Sequence, residues 1–338
     1  MWLPILLNDT SHWPMQRTPP ANLVYVKIQK SASSSTAGVV RLIAMRHNVS
    51  DNRNNRWIRS EPGLWAAHGP ASSTVSPPSW RLMATLRLPT LLLTMVRDPL
   101  SRAISMFYHF VYTRHPQCAR GNHTLNLLGY LASKGNNHLS HCSGSQGTLN
   151  FMYHYMRPPH LPNVSPIDLV GMYSFVGVVE RYNESMALLA HWLHLPIWEL
   201  VALDAKRSTG GGATGNRDDL GHVFYAHTPI DKEPMAVREY ASQTWIPANK
   251  LDYDLYRAAD TALSRSLESQ PTVSGIAETY GNLLAMARKS CGTGPEIREC
   301  LYLDEACAYK CVDRSIGRSG DAAASANITV CPPVAQRS

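Results

Sequence analysis

The sequence predicts a three-layer α/β fold in which a central parallel sheet is covered by helices on both faces. Two continuous apolar runs, Leu23 to Ile28 and Thr90 to Val96, have the length and composition of strands buried on both sides. Each is followed by a polar turn and then by helical spacing of apolar residues. A third run, Ser174 to Val179, repeats the arrangement with Met186, Leu189 and Leu193 behind it. Strands alternating with helices imply parallel pairing, because a parallel neighbour can be reached only by a crossover.

In chain order, residues 1–20 are rich in Pro and polar groups and read as an irregular lead-in. The first strand leads through a Ser-rich turn into a helix carrying Val39, Val40, Leu42, Ile43 and Met45. The second meets Arg97-Asp98-Pro99 and a helix running through Phe110. Asn183 is positioned to cap the helix after the third. Arg53 to Pro89 and His115 to Ser165 are rich in Pro, Gly, Ser and Asn and read as long loops over a rigid scaffold. Lys206 to Arg217 contains Gly210-Gly211-Gly212 and reads as a mobile loop. There is no internal repeat. The expected division is a domain over 21–290 and a Cys-rich extension and tail over 291–338.

The chain has 338 residues, 44% hydrophobic and 17% charged, which is ordinary for a globular chain, so disorder is not the default. A formal net charge of +7 suits an anionic cofactor or substrate, and a basic soluble surface explains it equally well. No apolar run approaches the roughly 20 residues of a membrane span, and Met1 to Leu7 is short for a signal core, so any anchor would lie outside this sequence. Asn-x-Ser/Thr sequons stand at Asn8, Asn48, Asn122, Asn183 and Asn327, with a poorer one at Asn163 before Pro166. Seven cysteines, five of them between Cys291 and Cys331 and two, Cys118 and Cys142, in one loop-like stretch, read as lumenal disulfides with one thiol left over. Zinc is the rival reading, but paired Cys-x2-Cys knuckles are lacking.

The turn Lys30-Ser31-Ala32-Ser33-Ser34-Ser35-Thr36 joins a buried strand to a helix N-terminus. Unpaired N–H groups and the helix dipole favour an anion there, small side chains let it approach, and lysine supplies a point charge. A Ser-rich helix cap with no ligand accounts for the same residues. The lysine precedes the small residues, whereas a nucleotide-triphosphate loop needs Gly-x4-Gly-Lys-Ser/Thr, so an ordinary kinase or ATPase is disfavoured. At the next junction, Arg97 and, eight residues on, Ser105 can converge on one phosphate. Local pairing of Arg97 with Asp98 is the alternative.

Together these residues resemble the carbohydrate sulfotransferases that use 3′-phosphoadenosine 5′-phosphosulfate, most closely the galactose 3-O-sulfotransferase branch that includes galactosylceramide sulfotransferase. The strand-to-helix turn is similar to that family's Lys-Thr-Gly/Ala-Ser-Ser-Thr loop, with Arg46-His47-Asn48 at the matching distance. Arg97-Asp98-Pro99 with Ser105 resembles its 3′-phosphate motif. Phe175 to Glu180 with Glu184-Ser185 and Leu188-Leu189, and Leu251-Asp252-Tyr253-Asp254-Leu255-Tyr256, resemble its later strand and helices, so the likeness spans roughly 22–265. Ser31 and Ser35 replace the family's usual threonines.

The resemblance implies a P-loop-like fold and a donor nucleotide held by Lys30, Ser31, Ala32, Ser33, Ser34, Ser35, Arg97 and Ser105. It implies Lys30 as the charge at the leaving oxygen and, by order along the chain, His68 as the base. His109 and His115 compete for that role, while His47 fits a helix end. Lys206-Arg207-Ser208-Thr209 resembles the basic loop that closes over the nucleotide in uronyl 2-O-sulfotransferases. The implied acceptor is a galactose-containing glycolipid or glycan, with no nucleic acid and no metal, and the implied location is the Golgi lumen. A uronyl 2-O-sulfotransferase of glycosaminoglycans, a kinase of related fold, and a non-catalytic glycan- or nucleotide-binding protein are the alternatives.

Overall fold

The computed structural model describes residues 22–47, 64–67, 90–133, 142, 149–158, 160–203, 212–217, 223–291 and 309–324. The lead-in over 1–20, His68, Lys206, Arg207, the sequons at Asn8, Asn48 and Asn327, and Cys300, Cys307 and Cys331 lie outside the described residues.

The chain opens with β1 (Asn22–Val26) and α1 (Ser33–Arg46), then β2 (Leu64–Ala67) and β3 (Thr90–Val96). After β3 come α2 (Pro99–Met106), which continues as a π-helical stretch through Tyr112, α3 (Pro116–Ala119), α4 (His123–Ala132), α5 (Phe151–Met156) and α6 (Pro166–Gly171). Next are β4 (Phe175–Val178), α7 (Tyr182–Leu193), the strands β5 (Gly212–Arg217) and β6 (Val223–Ala226), and α8 (Met235–Tyr240), followed by a π-helical stretch over Ala241–Trp245 and α9 (Ile246–Ala248). Two 20-residue helices, α10 (Lys250–Ser269) and α11 (Thr272–Cys291), precede α12 (Tyr309–Ala324).

The four-stranded sheet has the order β2-β1-β3-β4 and every pairing in it is parallel. This is the predicted α/β architecture, a parallel sheet packed by helices. The chain leaves β1 toward β2 on one side and returns to β3 on the other, so the carboxyl ends of β1 and β3 flank the point where the winding reverses. Open α/β sheets bind their ligands in the crevice at such a point.

The three strands read from the sequence are present. Their side chains, including Val24, Val26, Leu93, Met95 and Val178, are sealed in the main core, as continuous apolar runs demand. Gly177 lies opposite Met95 in the β3–β4 register. A Cβ there would stand 2.4 Å from the Met95 sulfur, so glycine is what lets the two strands close with methionine between them.

Several expectations are corrected. β2 and the helices α3, α4 and α5 occupy stretches that read as loops. β2 is four residues long and takes its stability from its parallel partner β1; so short an apolar run carries little periodic signal. Part of the glycine-rich Lys206 to Arg217 stretch is strand β5, paired antiparallel with β6 and shifted in register between Ala213 and Arg217. That pairing overrides the weak strand propensity of Gly-Ala-Thr-Gly-Asn-Arg. Asn183 does not cap α7, because Arg181 is the boundary residue and no side chain caps it. The helix after β3 runs beyond Phe110 to Tyr112.

Among the described residues two disulfides are formed. Cys118–Cys142 is the loop pairing that the proximity of the two residues suggested, and Cys291–Cys311 joins α11 to α12. Val312 and Ile316 of α12 are buried in the main core. Among the described residues no helix is long and apolar enough to cross a membrane.

Candidate active site

The site is built on the turns that leave β1 and β3. Lys30 and Ala32 both adopt left-handed backbone conformations, with φ of 63° and 51°. For residues with a Cβ this conformation costs roughly 1–2 kcal/mol each. Left-handed residues within a tight turn gather successive N–H groups around a concavity that suits an anion. Ala32 stands at the N-cap of α1 and offers no side-chain cap, so the N–H groups of the first helical turn keep their donor capacity for something else. Ser31 is fully buried and its Oγ has no hydrogen-bond partner. A buried hydroxyl without a partner costs on the order of 1–3 kcal/mol, and this one lies in the turn that the sequence offers either as an anion site or as a Ser-rich helix cap. Ser33 is buried beside it, Ser34 and Ser35 are partly exposed, and Thr36 donates from Oγ1 to the Tyr182 hydroxyl at 3.4 Å.

Arg97 is brought to this turn. Its Nη1 donates to the Lys30 backbone oxygen at 3.2 Å, and its Nη2 lies 3.2 Å from Nε2 of His227. Its Nε is buried without a partner. Burial lowers the guanidinium pKa, opposed by the charges of Glu180 and Asp98. Asp98 is not bonded to Arg97: its carboxylate accepts the Ser101 N–H at 2.8 Å and caps α2. Ser105 is buried on the second turn of α2.

The later family-like motifs fasten this edge of the sheet. Glu180 accepts the Asp98 N–H at 3.1 Å and the Tyr256 hydroxyl at 3.2 Å. Ser185 Oγ accepts the Val178 N–H at 2.9 Å and donates to the Val178 oxygen at 3.2 Å. Asp252, fully buried, accepts the N–H groups of Met152 and Tyr153 and so caps α5.

His227 is a site residue that the sequence did not reveal, since no motif surrounds it. It follows β6 and lines an open cavity with Thr228 to Asp231 and with Ser101 and Ile104 of α2. Burial, then the charges of Arg97 and Lys30, lower its pKa to about 4. The neighbouring chain is fixed by a polar cluster. The Tyr108 oxygen lies 3.1 Å from Thr228 Oγ1 and 3.0 Å from Glu233 Oε1, so the phenol can donate to the carboxylate and accept from the threonine. His123 bridges Glu233 Oε2 and the Tyr112 hydroxyl, each at 2.6 Å.

Of the other histidines, His47 ends α1 and pairs with Glu199 at 2.6 Å, the helix-end role expected of it. His109 packs edge-on against Phe110, with ring centroids 4.6 Å apart, and His115 precedes α3. Among the described residues no group of three or more His, Cys, Asp or Glu is gathered as a metal site.

A parallel sheet with a concave, uncapped turn after β1 and an arginine brought to it from the end of β3 defines an α/β protein with a candidate anion site at the winding reversal. The family model described as Sulfotransferase family matches residues 13–257, and the chain belongs to that family. It is a sulfotransferase, an enzyme of sulfuryl transfer. Neither the curated proteins nor the solved structures contain a match to this chain.

Proposed function

We propose that this sulfotransferase moves the sulfuryl group of 3′-phosphoadenosine 5′-phosphosulfate to a carbohydrate hydroxyl, with the galactose 3-hydroxyl of a glycolipid or glycan as acceptor, in the Golgi lumen. The observation that carries the donor assignment is a pair of orphaned donors at one junction. Ser31 Oγ and Arg97 Nε are both buried and unpartnered, while Arg97 Nη1 bonds the Lys30 backbone. An anion with several oxygens would satisfy both, together with the uncapped first turn of α1.

The donor supplies an activated sulfuryl group whose transfer, like phosphoryl transfer, needs alignment and charge stabilisation more than covalent help from the protein. The turn from Lys30 to Ser35 holds the 5′-phosphosulfate, and the Lys30 ammonium neutralises charge at the departing oxygen. Arg97 and Ser105 hold the 3′-phosphate. His68, assigned by family resemblance, takes the acceptor proton, and Lys206 and Arg207 close over the nucleotide. The galactose acceptor rests on the branch resemblance, and the lumenal setting on the sequons and the two disulfides.

Transfer of radiolabelled sulfate from this donor to a panel of galactosides, glycolipids and glycosaminoglycans tests the whole reading. Labelling of galactose-terminated acceptors is expected. Labelling of uronic-acid polymers alone would overturn the acceptor, and no transfer to any member would overturn the carbohydrate assignment. For the donor site, Arg97→Ala should weaken binding of 3′-phosphoadenosine 5′-phosphate roughly tenfold to hundredfold, the worth of a charge-assisted contact. Unchanged affinity would remove Arg97 from the site.

A further inference from the structure

We propose that His227 is a second ligand for the 3′-phosphate, beside Arg97, and that it takes up a proton when that phosphate binds. The inference rests on the reading of Arg97 given above and adds a residue that neither the sequence nor the family likeness singles out.

Placement comes first. His227 follows directly on β6, where Tyr225 packs edge-on against Tyr112 with centroids 5.8 Å apart. Thr228, the next residue, is bonded to Tyr108, which is bonded in turn to the buried Glu233. The imidazole therefore projects from an anchored segment, and its Nε2 is held 3.2 Å from Arg97 Nη2.

A guanidinium nitrogen can only donate, so Nε2 of His227 must accept, and the ring is neutral in the ligand-free protein. The groups facing it agree. Arg97 from the end of β3 and Lys30 from the turn after β1 both oppose a proton. Glu233 and a backbone hydrogen bond with Thr228 favour one but do not outweigh burial and the two cations. Glu233 is itself engaged by His123 and Tyr108, and Asp231 lines the same cavity.

A phosphate dianion reverses this balance. Its oxygens can accept from the orphaned Arg97 Nε and from Nη2, drawing Nη2 away from His227. A neutral ring would then turn a lone pair toward phosphate oxygen, acceptor against acceptor. Protonation converts Nε2 into a donor, and two added negative charges offset the repulsion from Arg97 and Lys30. One proton moves from solvent to Nε2, and no covalent bond forms or breaks in the ligand.

The experiment is calorimetric titration of the protein with 3′-phosphoadenosine 5′-phosphate at pH 7, repeated in buffers of different ionisation enthalpy, so that proton uptake is read from the slope. With a second phosphate pKa near 6, only about a tenth of the free phosphate carries a proton at that pH, so its loss cannot mask uptake approaching one proton. Net uptake is expected with this nucleotide and none with adenosine 5′-monophosphate, which lacks the 3′-phosphate. His227→Gln keeps a donor but cannot titrate. It should abolish the uptake and reduce the preference for the 3′-phosphorylated nucleotide roughly tenfold or more. Binding without proton uptake, or a His227→Gln variant with unchanged uptake and preference, overturns the proposal and leaves the donor assignment standing. Failure of the parent protein to bind the nucleotide overturns both. The parent's uptake is decisive by itself should the variant fold poorly.

Discussion

Arg97 donates from Nη1 to the backbone oxygen of Lys30 at 3.2 Å, which ties the carboxyl end of β3 to that of β1. The bond uses the lysine's main chain and not its ammonium. The two residues that the sequence assigns to different parts of the donor thus belong to one constructed edge. Lys30 backbone geometry and Arg97 side-chain position are coupled, whereas Lys30 charge is not needed to hold Arg97.

Lys30→Ala should therefore keep the backbone acceptor that Arg97 uses while removing the charge. The backbone oxygen that Arg97 uses remains, so KM for the sulfated donor should change by roughly threefold or less, while kcat falls by about 10²–10³-fold, as for loss of one preorganised charge-stabilising group, and the product nucleotide, which carries the departed charge, should bind more weakly. Sulfate-transfer kinetics and calorimetric nucleotide titration on the same preparation separate the two effects. Near-normal turnover would remove the lysine from the chemistry.

The strain in the turn gives a stability prediction. Ala32 sits at φ 51° at the N-cap of α1, a conformation open to glycine without steric cost. Ala32→Gly should relieve roughly 1–2 kcal/mol of strain against about 0.4–1 kcal/mol of added unfolded-state entropy, for a net gain of up to about 1.6 kcal/mol. Ala32→Val, which puts a branched carbon into the same region, should lose more than about 1 kcal/mol. Denaturant unfolding of the three proteins checks the order Gly, Ala, Val.

Asp252 supports the site from beneath. It is fully buried, caps α5 through the Met152 and Tyr153 N–H groups, and is a charge opposing buried Arg102, which stacks 4.2 Å from the Phe151 ring centroid and has two unpartnered nitrogens. Burial raises the Asp252 pKa, opposed by Arg102 and by the backbone donors. Asp252→Asn keeps the shape, removes the counter-charge and aims an amide at donors. It should lose about 1–3 kcal/mol, the usual consequence of leaving a buried donor without its acceptor. A loss below about 1 kcal/mol in urea unfolding would show that Arg102 does not depend on this carboxylate.

The long apolar strands β1 and β3 were legible because both their faces are buried, so hydrophobicity alone marks them. The junctions after them were legible because their chemistry is local: one turn carries Lys30 to Thr36, and Arg97 opens the next. β2 was hidden by its brevity and β5 by its glycines, since each exists through pairing with a partner strand. α4 could have been found, because Leu127, Tyr130 and Leu131 stand at helical spacing and all three are buried. His227, His123 and Glu233 could not. They meet through the tertiary fold, separated from Arg97 or from one another by more than a hundred residues. Asp252, Glu180 and Ser185, which resembled parts of the family's later strand and helices, serve as fasteners that hold the strand ends in place.

The depressed pKa of His227 has a consequence for stability that needs no ligand. Burial first, then Arg97 and Lys30, take it from 6.5 in the unfolded chain to about 4 in the folded one. Between those values the unfolded state binds the extra proton and the folded state does not, so stability rises with pH across this window. The contribution is fully present above about 6.5 and is lost as pH falls toward 4. His227→Gln, which cannot titrate, should unfold at a denaturant concentration that declines less between pH 7 and pH 5 than that of the parent. The comparison is the difference of differences, so any change in packing common to both pH values cancels. Equal acid sensitivity in the two proteins would mean that the imidazole accepts a proton in the folded state as readily as in water, and that the Arg97 contact does not hold it neutral.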